Sequence, residues 1–428
     1  MKRITLLFCA LLATSLSAVG QKQMRIWQGG ESTRVTLTET EDMPFAGSGT
    51  TVTIGGTTYQ TSAIDSITMV HQVGIAYNGS SATVSIPAAV AADVTAEVSG
   101  AHVVITNANV SNEIEFILSG SSTNGSLTYN GQYKATFCLN GVTLASQQGA
   151  AIDIQCGKRI DLIIADGTTN SLTDCTGGTQ KAAFNCQGHL EVSGSGTLNV
   201  AGNTNHAFRS KEYLLLKKST GTINITKAVA DGIHCGEYFT MNGGTINISG
   251  HGADGLQMEM ATNSDEADNG IFTMNGGTIK VTHDAAGSKA VRADSTLAVM
   301  NINGGTIDIN LTSTASDAKG LVCDGNMNIS ESSAATTITI EAAGEGYLDD
   351  LGEKIRTTGL KCEYTVTIEA GTININASGK YARGMRAATL VANGGVTTVK
   401  NTGSGSQGIK LDNVFVNTGG TVTGTFKY

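Results

Sequence analysis

Two aspartates, Asp231 and Asp254, sit in near-identical settings, DGIHC and DGLQM. The setting recurs as HAFRS at His206, KAVRA at Lys289, KGLVC at Lys319, TGLKC at Thr358, RGMRA at Arg383 and QGIKL at Gln407. The small second residues fall at 207, 232, 255, 290, 320, 359, 384 and 408, in steps of 25, 23, 35, 30, 39, 25 and 24 residues. If the copies stack at the roughly 4.8 Å spacing of paired strands, Asp231 and Asp254 touch, with His206 one coil before and Lys289 one coil after. Like charges that close repel unless something neutralises them. A calcium ion would do so, held by Asp231 and Asp254, with Glu237, Glu259 or the acidic loop Asp265, Glu266, Asp268 completing an oxygen shell. A solvated ladder capped by Lys289 and His206 meets the same need without a metal.

Three residues further along each copy runs a mostly basic column: Arg209, His234, Gln257, Arg292, Val322, Lys361, Arg386 and Lys410. Guanidinium forks match carboxylates, so the column reads as a stripe for an anionic extended ligand such as a uronic-acid polysaccharide. Two residues beyond it runs a mainly acidic column, Lys211, Glu259, Asp294, Asp324, Glu363 and Asp412. The two columns therefore read equally as an ion-pair ladder. Asn199, Asn224, Asn247 and Asn374 form another outward column, a solvated face or a set of donors for sugar hydroxyls. Tyr213, Tyr238 and Tyr364 follow glutamates and read either as stacking platforms for sugars or, in preference, as half-buried residues at the start of a strand.

Elements that would hold these columns are legible in a second repeat, GGTINI at Gly243, GGTIKV at Gly276, GGTIDI at Gly304 and AGTINI at Ala370. Alternation puts Ile246 and Ile248 inward and Asn247 outward on a strand, with the glycine pair as the corner before it. Each repeat then parses as three short strands, near Asp231 to Cys235, Phe239 to Met241 and Thr245 to Ile248. Three parallel strands per coil predict an all-β, three-faced parallel β-helix. Strict hexapeptides of a left-handed helix are missing, as is amphipathic helix periodicity. Insertions at Met260 to Gly270 and Ala342 to Thr358 are expected as flanking loops.

Fifty-four glycines and two prolines in 428 residues suit such a coil. A net charge of −9 gives no reason to expect nucleic acid, and no apolar run after the start is long enough for a membrane span. Lys2 and Arg3, the apolar run Ile4 to Leu16 and the small residues Ala18-Val19-Gly20 mark residues 1–20 as a signal peptide. The protein is thus expected to be secreted, periplasmic or on the cell surface, and Cys9, inside the apolar run, gives no lipid-anchor signal. Residues 21–75, with the single Trp27, are expected as a small N-terminal β segment or cap, and residues 76–428 as the β-helix. Cys186, Cys235, Cys323 and Cys362 share one column with Ser210, Met258 and Ala293, which reads as core filling in preference to disulfides or metal ligands.

The chain resembles a bacterial family of secreted, carbohydrate-binding parallel β-helix proteins that look like polysaccharide lyases. Leu139-Asn140-Gly141-Val142, Ala150-Ala151-Ile152, Asp166 to Asn170, His206-Ala207-Phe208, Asp231 to His234, Asp254-Gly255-Leu256 and Lys289-Ala290-Val291 carry the resemblance. It spans roughly residues 100–428 and implies a right-handed helix, bound calcium and affinity for plant-type polysaccharides, acidic ones included. It also raises a calcium-dependent lyase, in which Asp231 and Asp254 hold calcium and Lys289 or Arg292 abstracts the proton. Only two stacked aspartates stand where such a site gathers about four acidic ligands. The resulting expectation is a polysaccharide-binding protein without bond cleavage, with a lyase and a structural or adhesive solenoid as alternatives.

Overall fold

Alternating Thr-Ile-x-Ile segments build the strands. In the computed structural model, which describes residues 22–29, 31–37 and 43–428, one repeat contributes Ile233–Cys235, Phe239–Met241 and Thr245–Ser249. Each pairs in parallel with its counterpart in the next repeat, Ile233 with Leu256, Phe239 with Phe272 and Thr245 with Thr278. The ladders accumulate, among the described residues, into a 26-stranded sheet and a 14-stranded sheet. The larger one contains two ladders that fuse at Ala135–Ala145, whose first half pairs with Ile160–Ile164 and second half with Thr169–Thr173. The fold is thus all-β and solenoid-like, with long parallel sheets. The expected leader, residues 1–20, lies outside the described residues.

Register turns sequence columns into core columns. Ile223, Ile246 and Ile279 stack with no exposed surface, and Phe239 lies on Phe272 with ring centroids 4.7 Å apart. Full burial of each such side chain contributes about 1.5–3 kcal/mol. Cys186, Cys235, Cys323 and Cys362 are buried in that core as free thiols. Before the Thr-Ile strands, Gly244, Gly277 and Gly305 turn the chain at φ +85, +87 and +98, and a Cβ on Gly277 would stand 2.7 Å from the Gly244 carbonyl oxygen. Glycine is therefore the residue that both turns the corner and lets coils approach.

At the N-terminal end, Lys22–Gln28 pairs antiparallel with Glu31–Leu37 and with the first part of Ser66–Asn78. The rest of that long strand joins the solenoid by pairing in parallel with Ile114–Ser122. Residues 75 and 76 thus lie within one strand. Antiparallel Ser81–Ser85 and Val94–Ser99 cover the first edges of the ladders. Met24, Ile26, Val35, Val52, Ile54 and Tyr59 form a separate small core. The insertion after Ala342 differs from the expected plain loop. It carries a short hairpin, Tyr347–Leu348 against Lys354–Ile355, because Asp349 Oδ1 accepts the N–H groups of Leu351 and Glu353 at 3.0 and 2.8 Å and closes the turn.

Candidate functional site

Asp231 and Asp254 are 4% and 5% exposed, too buried for a solvated ladder. Asp231 Oδ1 accepts the Asp254 N–H at 3.0 Å, and Asp254 Oδ1 accepts the Lys289 N–H at 2.8 Å. Each carboxylate satisfies a backbone donor in the next coil, where an unpaired N–H would cost about 1–3 kcal/mol. Asp231 Oδ2 faces His206 Nδ1 at 3.2 Å and His234 Nδ1 at 3.0 Å. Burial opposes ionisation of Asp231, yet the hydrogen bonds to His206 and His234 outweigh it and hold the carboxyl well below the usual range. Burial pushes Asp254 the other way, upward, against the Lys289 N–H and ammonium.

The residues expected to bind calcium do not make one oxygen shell. Around Asp231 the donors are two imidazole nitrogens and one carboxylate oxygen, where calcium takes six to eight oxygens. Glu237 is buried at the next corner, where Gly236 N–H bonds the Glu212 carbonyl, and burial, with the Glu237 charge adding to it and His189 opposing, raises the Glu212 carboxyl. Glu259 Oε2 stands 3.7 Å from His234 Nε2 on the outer side. Asp231 and Glu259 thus lie at opposite nitrogens of His234, while Asp254 and Glu237 face other groups, so the four acids do not converge on one ion.

The basic column is in register as expected, Arg209 beside His234, then Gln257, Arg292, Val322, Lys361, Arg386 and Lys410. From Arg292 onward its charges are paired within the face. Arg292 binds Asp324 through Nε at 3.0 Å and Nη2 at 2.6 Å, and Asp294 at 2.8 Å. Lys361 pairs with Glu363, and Arg386 and Lys410 share Asp412 at 3.2 and 3.3 Å. Arg209 donates to Asn185 Oδ1 at 2.9 Å. Burial opposes the Arg292 charge, but Asp324, Asp294 and Asp254 hold its guanidinium above its ordinary range, the opposite of what proton abstraction needs. Lys289, the other candidate base, lies beside Lys319 in the ladder.

Other outward columns are also tied together. Asn247 Nδ2 donates to Asn224 Oδ1 at 2.9 Å, and Asn224 Nδ2 to Asn199 Oδ1 at 2.8 Å, an amide ladder along the strands. Tyr213 and Tyr238 stack at 4.5 Å and are 7% and 9% exposed, so neither offers a ring to a sugar, while Tyr364 is exposed.

A cationic cleft that the sequence columns did not single out lies under the hairpin. Its volume is about 410 Å³, and Lys354, Arg356, Arg383 and Lys427 line it with Glu353, Ser406 and Gln407. Arg356 is 8% exposed and donates Nη1 to the Tyr381 and Gly405 carbonyls at 2.7 and 3.1 Å. Arg383 Nε donates to Gln407 Oε1 at 3.0 Å. Among the described residues, no carboxylate lies within ion-pair distance of these two guanidinia. Burial first, then repulsion from Arg356 and Arg386, pushes Arg383 down to about 10. Lys354 Nζ sits 4.9 Å above the Tyr381 ring. Arg383 and Gln407 are members of the first column, but Lys354 and Arg356 come from an insertion and Lys427 from the last strand, which no repeat alignment joins to them.

Residues 99–408 match the model of a family described as carbohydrate-binding domain-containing protein. The chain belongs to this family. Among solved structures, a polysaccharide lyase-like protein from C. thermocellum, determined as a gadolinium derivative, is similar at 23% identity and a TM-score of 0.47, covering 62% of this chain and 99% of that one. No curated protein matches the chain. Carbohydrate binding is therefore a property of the family, and the family match spans the Asp231 site and Arg383.

Proposed function

We propose that this chain is a secreted polysaccharide-binding protein, a three-faced right-handed parallel β-helix that holds an acidic glycan without cleaving it. The observation that carries the acidic specificity is the cleft of Arg356 and Arg383, two guanidinia without carboxylate partners among the described residues. A partly buried cluster of four cations with the single carboxylate Glu353 in its lining favours an anion that enters it, and a uronate carboxylate fits the guanidinium fork. The self-paired column from Arg292 to Lys410 then acts as a rigid wall and contributes little charge to the ligand. Arg292, locked between Asp294 and Asp324, is held as a cation and does not serve as a general base.

The test is retention of polygalacturonate and of a neutral glucan by the chain without residues 1–20, at low and high salt, with ultraviolet absorbance followed in the same samples. Polygalacturonate should be retained and released by salt. Arg383→Ala should weaken retention about tenfold, the lower end of what a charge-assisted hydrogen bond supplies. Retention that ignores both salt and Arg383→Ala would remove the cleft from the reading. Growth of an unsaturated, absorbing product would make the protein a lyase.

A further inference from the structure

We propose that His206, Asp231 and His234 form a binding site for a d-block divalent cation, zinc being the reference ion. The three side chains each offer a donor atom, and these atoms all lie within 4.8 Å of one another. They come from adjacent coils: Phe208 pairs with Ile233 and Arg209 with His234, which sets His206 over Asp231. The imidazoles stack with centroids 4.5 Å apart and planes 27° from parallel, and both present Nδ1 to the same carboxylate oxygen, Asp231 Oδ2, at 3.2 and 3.0 Å.

The donor chemistry separates this ion from calcium. Two neutral imidazole nitrogens with one carboxylate are a ligand set for zinc and its neighbours, whereas calcium takes oxygens. Zinc bonds of about 2.0–2.1 Å in tetrahedral geometry put neighbouring donors roughly 3.3 Å apart. The nitrogen-to-oxygen separations of 3.0 and 3.2 Å need only a few tenths of an ångström of adjustment. Metal at His206 Nδ1 takes the place of its 3.2 Å contact with Asp231 Oδ2 and of the long 3.3 Å contact from the Asp231 N–H.

Surrounding groups orient the donors, as metal sites require. The Asp254 N–H holds Asp231 Oδ1 at 3.0 Å and so aims Oδ2 at the rings. Glu259 Oε2 lies 3.7 Å from His234 Nε2, placed to accept that ring's outer N–H once the metal takes Nδ1. Side-chain exposures of 16%, 6% and 12% for His206, Asp231 and His234 leave the site sheltered but reachable. The proposal does not rest on the polysaccharide reading.

Titration calorimetry of the full mature chain with zinc and, separately, calcium tests it, with cobalt absorption as a direct report of nitrogen ligation. One zinc per chain should bind, with calcium at least a hundredfold weaker, and His234→Gln should weaken zinc at least tenfold. The double variant His206→Gln, His234→Gln should lose the ion and the cobalt spectrum while keeping the wild-type circular dichroism. His189→Gln, elsewhere on the surface, should keep both. No zinc uptake, uptake unchanged in the double variant, or preference for calcium would overturn the assignment.

Discussion

Two buried histidines outside the proposed sites set a sharp expectation for acid stability. His251 and His283 are 4% and 0% exposed. His251 Nδ1 faces the Ala253 carbonyl at 3.0 Å and must carry the hydrogen, so its Nε2 accepts from His283 Nδ1 at 3.1 Å. His283 Nε2 in turn accepts from the Ser288 hydroxyl at 3.0 Å. Both rings are therefore neutral in these tautomers, and a further proton is opposed by their burial. Burial, with His251 and Lys289 adding to it, pushes His283 from 6.5 down to about 3, and burial also lowers His251, against Asp284 and Asp231. A histidine depressed on folding binds its proton more readily unfolded. Its contribution is fully present above the unfolded value and is lost as pH falls from 6.5 towards about 3. The limiting slope is about 1.4 kcal/mol per pH unit for one proton, reached below the unfolded value, so lowering pH from about 6.5 to about 4.5 costs roughly 2.3 kcal/mol through His283 alone. Urea unfolding of wild type and His283→Leu at several pH values measures it. The variant should be less stable at neutral pH by about 1–3 kcal/mol, because His251 Nε2 loses its donor, while the Ser288 hydroxyl keeps the Ala285 carbonyl at 3.1 Å. Its stability should fall with acid by roughly 2–3 kcal/mol less than wild type does. Parallel pH profiles for the two proteins would refute the argument.

Thiol reactivity is a second expectation. Cys235 and Cys323 are pushed up to about 12 by burial and Cys362 to about 11, so with Cys186 they should resist a thiol reagent in the native protein and react only on unfolding, while the half-buried Cys138 and Cys175 label first; mass mapping of labelled sites checks it. Crowding between coils gives a third. A Cβ on Gly255 would stand 2.4 Å from the Ala290 carbonyl oxygen, so Gly255→Val should lower stability by about 3 kcal/mol, and an unchanged urea midpoint would show that the coils yield.

The ladders and their contents follow from local pattern in the chain. Alternation of Ile with polar residues at period two and recurrence of each motif once per coil are local properties, and they placed Ile246, Cys235 and Arg292 in the columns where the structure has them. The small second residue of each copy was legible for the same reason, since a neighbouring carbonyl lies where a larger side chain would go. Tertiary structure alone decided what the outward groups do. A column shows that Arg292 stands near acids, but only side-chain reach shows Asp324 and Asp294 consuming its charge. The carboxylates of Asp231 and Asp254 became acceptors for backbone N–H groups of the next coil, a role set by burial and direction and invisible in spacing. The cleft holding Arg356 and Arg383 exists because a hairpin folds back beside the last strands, bringing together Lys354 and Lys427, 73 positions apart along the chain. Repeats specify neighbours one coil away, whereas insertions and rotamers choose partners by distance in space, and in this protein the chemistry lies with the second set.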